Sequence, residues 1–166
     1  MAKKSVSISL FLLWLFLPVP AASQSITKAR AKLCDRTLFH YDKGHGNQIE
    51  YYAPDGFAYL WYPGNWRSVR SLWKLEATGR KRRTTICFKY ARNTYNPMTK
   101  QHGGKWECRP FSWFLKGTHK KSPVGDVFGL STGTIPFRLD RHPKLNPGDL
   151  MKGKKPRQVD PACSAQ

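Results

Sequence analysis

Between Gln48 and Cys108, four apolar or aromatic runs are separated by turn-forming residues. The separators are Pro54-Asp55-Gly56, Pro63-Gly64-Asn65, a basic tip at residues 79–83 and an Asn/Pro/Gly loop at 91–104. That punctuation predicts an antiparallel β meander, with the turn residues supplying the φ values each reversal needs. Residues 49–53 read as a strand and 57–62 as its return. Alternation along the return puts Phe57, Tyr59 and Trp61 on one face and Ala58, Leu60 and Tyr62 on the other. Both faces are apolar, so this strand is central and covered on both sides, or one face carries a ligand. Over 66–76, Val69, Trp73 and Leu75 oppose Arg70, Lys74 and Glu76, with Leu72 as an apolar exception on the polar side. Arg80, Lys81, Arg82 and Arg83 crowd like charges that only water can screen, which predicts an exposed hairpin tip. Residues 84–90 form the next strand, with Ile86, Phe88 and Tyr90 opposite Cys87, and extended structure resumes over 105–114.

Outside the meander the pattern is weaker. Residues 25–33 suit one or two helical turns, 37–41 a first strand, and 42–48 a loop. After Leu115 a basic loop (116–125) leads to GDVFGL, a short apolar turn or strand. TIPFRL then reads as a last edge segment whose proline keeps it from a central position. From Asp140 onward four prolines and few apolar residues leave too little surface to order the segment by itself. The fold expected is mainly β: a single antiparallel sheet curled into a sandwich or partial barrel and stapled by disulfides. Residues 24–140 form this β domain and 141–166 a basic, proline-rich tail.

The N-terminus adds a destination. Lys3 and Lys4 precede the apolar run SVSISLFLLWLFL, Pro18 and Pro20 follow, and Ala21-Ala22-Ser23 offers small residues before Gln24. This is the layout of a cleaved secretory signal over residues 1–23. The apolar run is shorter than the ~20 residues of a spanning helix. The protein is therefore expected in the periplasm or medium, with no transmembrane span in the mature chain.

Charge narrows the partners. The full chain carries 29 Lys and Arg against 10 Asp and Glu, formally +19, and losing Lys3 and Lys4 leaves +17. Anionic polymers and lipid head groups suit such a surface, while export removes the protein from nucleic acid. The four cysteines, Cys34, Cys87, Cys108 and Cys163, are even in number and survive processing, as expected of disulfides in an oxidising compartment. Of three connectivities, Cys87–Cys108 is favoured because the two lie on runs expected to pair as neighbouring strands. Cys34–Cys163 then remains. Neither a Cys-x-x-Cys nor a histidine at ligand spacing accompanies them, and no metal or cofactor is expected.

Candidate chemistry is sparse. His40, Asp42 and His45 could converge in one loop to seat a metal or polarise a nucleophile. Among Glu50, Asp55, Glu76 and Glu107, Asp55 is engaged as a turn residue, and alternation gives no reason for Glu50 to meet it. No nucleophile elbow, phosphate loop or zinc-protease motif is present. The aromatics are more telling: five of six tryptophans fall between Trp61 and Trp113. Most must be core, but Tyr59, Trp61 and Tyr62 are a surplus that could stack on sugar rings or meet lipid head groups beside basic side chains.

At YYAPDGFAYLWYPGNWRSVRSLWKLE, ICFKYARNTYNP and WEC, followed by GDVFGL, the sequence resembles a family of small exported alphaproteobacterial proteins catalogued as domain of unknown function 995. The resemblance covers roughly residues 34–139. It implies a periplasmic or secreted β domain with a Cys87–Cys108 pair, and it carries no activity and no functional residues. The reading that results is an exported, envelope-associated binding or structural module engaging an anionic polymer or lipid surface. Arg80, Lys81, Arg82 and Arg83 would steer it, and Tyr59, Trp61 or Tyr62 would make the close contact. A protein-partner or inhibitor domain using the same tip is the alternative, and a small hydrolase built on His40, Asp42 and His45 a third.

Overall fold

The computed structural model describes residues 21–118, 122–155 and 157–164. The expected leader upstream of Ala21 lies outside the described residues, as do His119, Lys120, Lys121 and the last two residues of the tail. Helix α1 spans Ala21–Leu33 and is followed by β1 (Arg36–Asp42), β2 (Gly46–Tyr52), β3 (Phe57–Trp61), β4 (Val69–Thr78) and β5 (Arg83–Tyr90). A small hairpin, β6 (Tyr95–Asn96) and β7 (Gln101–His102), interrupts the loop before β8 (Glu107–Pro110). Two short helices, α2 (Phe111–Phe114) and α3 (Pro147–Leu150), and three 3-10 turns complete the elements of the described residues.

The main sheet has six strands in the order β1-β2-β3-β4-β5-β8, curled into a half-barrel. Every neighbouring pair is antiparallel. The two ends of the curl are bridged by the segment after α2, through His40 with Thr118 and Arg36 with Val124. The register puts Tyr52, Ala58, Ser71 and Tyr90 in one row across four strands. It also sets Cys87 opposite Cys108.

Period-two alternation divides the strands between two cores. On the concave face Leu38, Tyr52, Ala58, Trp73, Ile86 and Phe88 pack with Ala29 and Leu33 of α1 and with Phe111 and Phe114 of α2. On the convex face of β1–β3, Phe39, Ile49, Tyr51 and Trp61 pack with Leu130 and Leu139, and Leu145, Leu150 and Met151 add to them. The return strand is thus covered on both sides, as its two apolar faces require. Both disulfides form as the sequence suggests: Cys87–Cys108 joins β5 to β8, and Cys34–Cys163 ties the end of α1 to the tail.

Four local expectations give way. TIPFRL is not a strand: Phe137 and Leu139 lend their carbonyls to Trp61 Nε1 (3.1 Å) and Gly64 N (3.3 Å), while Ile135 and Leu139 pack into the convex core. Extended structure after Lys105 stops at Pro110, because Phe111 and Phe114, three apart on one helical face, both bury. The loop at 42–48 shrinks to a turn, with β2 beginning at Gly46. Helix α1 reaches back to Ala21, longer than one or two turns.

The tail is ordered because it is held, as a bridged Cys163 allows. Asn47 donates its side-chain amide to the carbonyls of Asp140, Arg141 and Pro143 and accepts from Leu145 N through Oδ1. Asp35 accepts from the Tyr51 hydroxyl through one oxygen and from Asp160 N through the other. A strap that exposes few apolar groups is fixed by these bonds and by the covalent link at its far end.

Candidate functional site

Two arrangements of polar side chains stand apart from the cores. The first lies on the convex side of β4 and β5, the part of the sheet the tail does not reach. Arg70, Leu72, Lys74 and Glu76 alternate outward along β4, and Lys89 faces Leu72 from β5. Three cations stand over aromatic rings on this side: Arg70 over Phe57 (4.6 Å to the centroid), Lys74 over Trp106 (4.4 Å) and Arg138 over Trp66 (4.8 Å). Trp66 is 75% exposed, and Trp106 and Phe137 are also open to solvent. Lys74 pairs with Glu76 as well, at 2.5 Å.

The stripe runs into the basic tip. Gly79 in the left-handed region and Arg82 at φ 44° make the reversal, closed by Arg82 N donating to Gly79 O. Arg80, Lys81, Arg82 and Arg83 are all exposed, as their crowding predicts. From Val69 to Thr78 the strand spans ~30 Å at about 3.3 Å per residue.

The aromatics expected to cooperate with the tip do not. Trp61 is 0% exposed and wholly part of the convex core, so its ring offers nothing to a ligand. Tyr59 is half-buried and stacks on Tyr51, and Tyr62 is half-buried with its hydroxyl on His45 Nδ1 (3.0 Å). The register pairs Leu60 with Val69, so these rings sit at the end of β4 remote from the tip. Trp66 and Trp106 hold the exposed positions instead. Trp106 follows Gly103-Gly104-Lys105 and faces outward beside the Cys87–Cys108 link, a placement that only the β5–β8 register reveals.

The second arrangement is inside the curl. Glu50 is buried on the concave face of β2, where one carboxylate oxygen accepts from the Tyr52 hydroxyl and Oε1 has no partner among the described residues. Burial pushes its carboxyl up to about 7, against the pull of the Tyr52 hydrogen bond and the Arg109 charge. Ser71 Oγ lies close to the Tyr90 hydroxyl without a well-aligned hydrogen bond. Burial raises both Tyr52 and Tyr90 well above the usual phenol range, with the Glu50 charge adding to it.

Arg109, on the last strand, acts on Glu50, Tyr52, Tyr90 and His40 together. In a flat sheet of this order β1 and β8 would stand ~24 Å apart. The curl alone brings Arg109 to the first two strands. His40 is held down to about 4, by burial first and by Arg109 second, so its ring is neutral at pH 7. It stacks obliquely on Phe114 at 4.9 Å and meets the Thr118 hydroxyl at 3.1 Å.

His40, Asp42 and His45 are not assembled into a catalytic group. Asp42 Oδ1 accepts from the backbone of Gly44 (2.9 Å) and His45 (2.7 Å), and its other oxygen accepts from Gln48 Nε2 (3.3 Å). His45 turns to Tyr62 and His40 to Thr118. Asp55 caps its turn by accepting from Phe57 N at 3.1 Å. Beside the end of β1 a pocket of about 470 Å³ opens between Lys116 and Lys144, and His40 and Gln48 line its concave-face side.

No family model, curated protein or solved structure matches this chain. The two disulfides fit an extracellular location. Among the described residues no helix is long and apolar enough to cross a membrane.

Proposed function

We propose that the protein is an exported binding module that holds an extended anionic polymer, such as an acidic polysaccharide of the cell envelope, along the convex stripe of β4. The observation that carries the reading is the line of cation-on-ring pairs, Arg138 on Trp66, Arg70 on Phe57 and Lys74 on Trp106, ending at the four charges of the tip. Rings stack on sugar faces while the neighbouring cations meet acidic substituents. A line suits a chain better than it suits a lipid surface, because the charges interrupt any contiguous apolar patch.

Retention on immobilised alginate or polygalacturonate, measured at low and high salt beside anionic vesicles, tests this. The parent should bind the polymers at low salt and lose them as salt rises, and Lys74→Ala with Trp66→Ala should weaken binding several-fold. A parent that ignores both polymers at low salt, or binds the vesicles alone, overturns the reading.

A further inference from the structure

We propose that the pocket at the β1 edge of the sheet, with its mouth between Lys116 and Lys144, binds a single-chain aliphatic carboxylate, a free medium-chain fatty acid. The site is separate from the polymer stripe, which lies on β4, three strands away in the sheet order.

The pocket follows from how the chain closes over the sheet. Strand β1 is an edge strand, and the segment after α2 meets it through the His40–Thr118 bridge. On the convex side the tail is drawn onto β2 by the four hydrogen bonds that the Asn47 amide makes with residues 140–145. It then enters α3, where Asn146 accepts from Gly148 N and where Pro147 and Leu150 reach the pocket wall. Between these two coverings a cavity of about 470 Å³ is left, a size that encloses a small organic ligand.

Three observations choose the ligand. First, the interior is apolar: Phe39 and Ile49 belong to the buried convex core, and Leu145 and Leu150 are partly buried against it. Second, the uncharged polar side chains of the lining are engaged within the protein. Asn47 holds the tail, the Tyr41 hydroxyl meets His142 Nδ1 at 2.9 Å, Gln48 donates to Asp42, and His40 meets Thr118 at 3.1 Å. A sugar, which needs several donors and acceptors at once, finds few of them free here. Third, the charge at the mouth is of one sign. Lys116 and Lys144 are both exposed, and the described residues that line the pocket include no acid. The single ion pair among the described residues is Lys74–Glu76, so neither lysine is neutralised in that way.

An apolar slot with two cations at its rim matches an anion that carries an apolar chain. The chain leaves water for the wall of Phe39, Ile49, Leu145 and Leu150. The carboxylate stays at the wet mouth between the lysines, where its charge need not be buried. Lys144 lies over the Tyr41 ring, 5.8 Å from its centroid, which places its ammonium at this rim. A small anion without a chain leaves the apolar wall wet, and a chain without a charge forgoes the lysines.

Titration of the full chain at pH 7 with butyrate, hexanoate and octanoate, followed by calorimetry and by NMR of the methyl groups, tests the site. Octanoate should bind saturably, and affinity should rise ~2–4-fold for each methylene added along the series. Its chain should give NOEs to the methyl groups of Ile49, Leu145 and Leu150. 1-Octanol, which keeps the chain and drops the charge, should bind several-fold more weakly, and glucuronate should not compete with octanoate. Combining Lys116→Ala with Lys144→Ala, both at exposed positions outside the core, should weaken octanoate at least fivefold and leave the melting temperature unchanged. Lys74→Ala should leave octanoate binding as it is while weakening polymer retention, so the two sites fail separately. Absence of saturable octanoate binding, an affinity indifferent to chain length, or equal binding by the double lysine variant overturns the proposal. So does a response of these methyl groups to anionic vesicles alone.

Discussion

The hydroxyl of Tyr52 donates a hydrogen bond to Glu50, two residues earlier on the same strand and the same face. The pair sits at the floor of the half-barrel, where a carboxylate is costly and a carboxylic acid is not.

That burial has a signature in pH. Glu50 rises from 4.5 to about 7, so between those values the folded protein keeps a proton that the unfolded chain has released. Its contribution to stability is greatest at low pH and fades as pH climbs through 7. His40 falls from 6.5 to about 4, so here the unfolded chain holds the extra proton, and stability grows as pH rises from 4 to 6.5. The two slopes oppose each other. Subtracting the stability profile of Glu50→Gln from that of the parent should give a line falling from pH 4.5 to 7, and the same subtraction with His40→Gln should give one rising from pH 4 to 6.5. Urea melts at half-unit pH steps check both, and flat differences would contradict the placement of these side chains.

Trp61 and Trp66, five residues apart, should behave oppositely. Trp61 is enclosed by Phe128 and Phe137 and donates to Phe137 O, so Trp61→Ala should cost ~3–5 kcal/mol of stability. Trp66 is 75% exposed, with Arg138 over its ring, and Trp66→Ala should change stability by less than about 1 kcal/mol. Chemical denaturation separates them. Equal effects would mean that the convex core is misplaced.

Gly46 is where the tail is pressed against the sheet. Its φ is +77°, and a Cβ there would stand 2.5 Å from Arg141 O. Gly46→Ala should therefore lift the strap and cost about 1–3 kcal/mol, from the left-handed backbone and the displaced bonds of Asn47 together. Limited proteolysis should then cut within residues 141–160 sooner than in the parent.

The two disulfides close loops of different length, 21 and 129 residues apart in sequence. Loop-closure entropy assigns about 3 kcal/mol to Cys87–Cys108 and about 5 kcal/mol to Cys34–Cys163. Paired serine variants, compared by thermal melting, should rank in that order. Mass mapping of a non-reduced digest should return these two links and no other.

The meander was legible because its turns are chemical: Gly56, Gly64 and Gly79 all take positive φ, and only such residues do so without strain. The cysteine pairing followed from the strand order. What lay hidden depended on closure. Arg109 and Glu50 are 59 positions apart, and nothing local says that the sheet curls enough to let them interact. The one local hint was Glu50 itself, a lone acid in the otherwise apolar run IEYYA, which alternation alone reads as a gap in the core. Trp61 misled for the opposite reason: an aromatic surplus looks like a binding face until the cover is known. That cover, Phe128, Leu130 and Leu139, comes from a segment read as a short apolar turn or strand and from one read as an edge segment, neither of which says what it packs against.

Cys34 and Cys163 sit at the two ends of the disulfide-linked chain, with their Cα atoms 5.5 Å apart. In covalent terms everything between them is a ring. A protease that cuts at the most vulnerable place, the four consecutive basic residues of the β4–β5 tip, would open that ring without dividing the molecule. One fragment keeps Cys34, the other keeps Cys163, and the bond between them keeps the two pieces together while the β4–β5 ladder holds the cut strands in register. A nicked protein would thus remain one particle until it is reduced, a useful property for a domain that displays a trypsin site on its outermost turn.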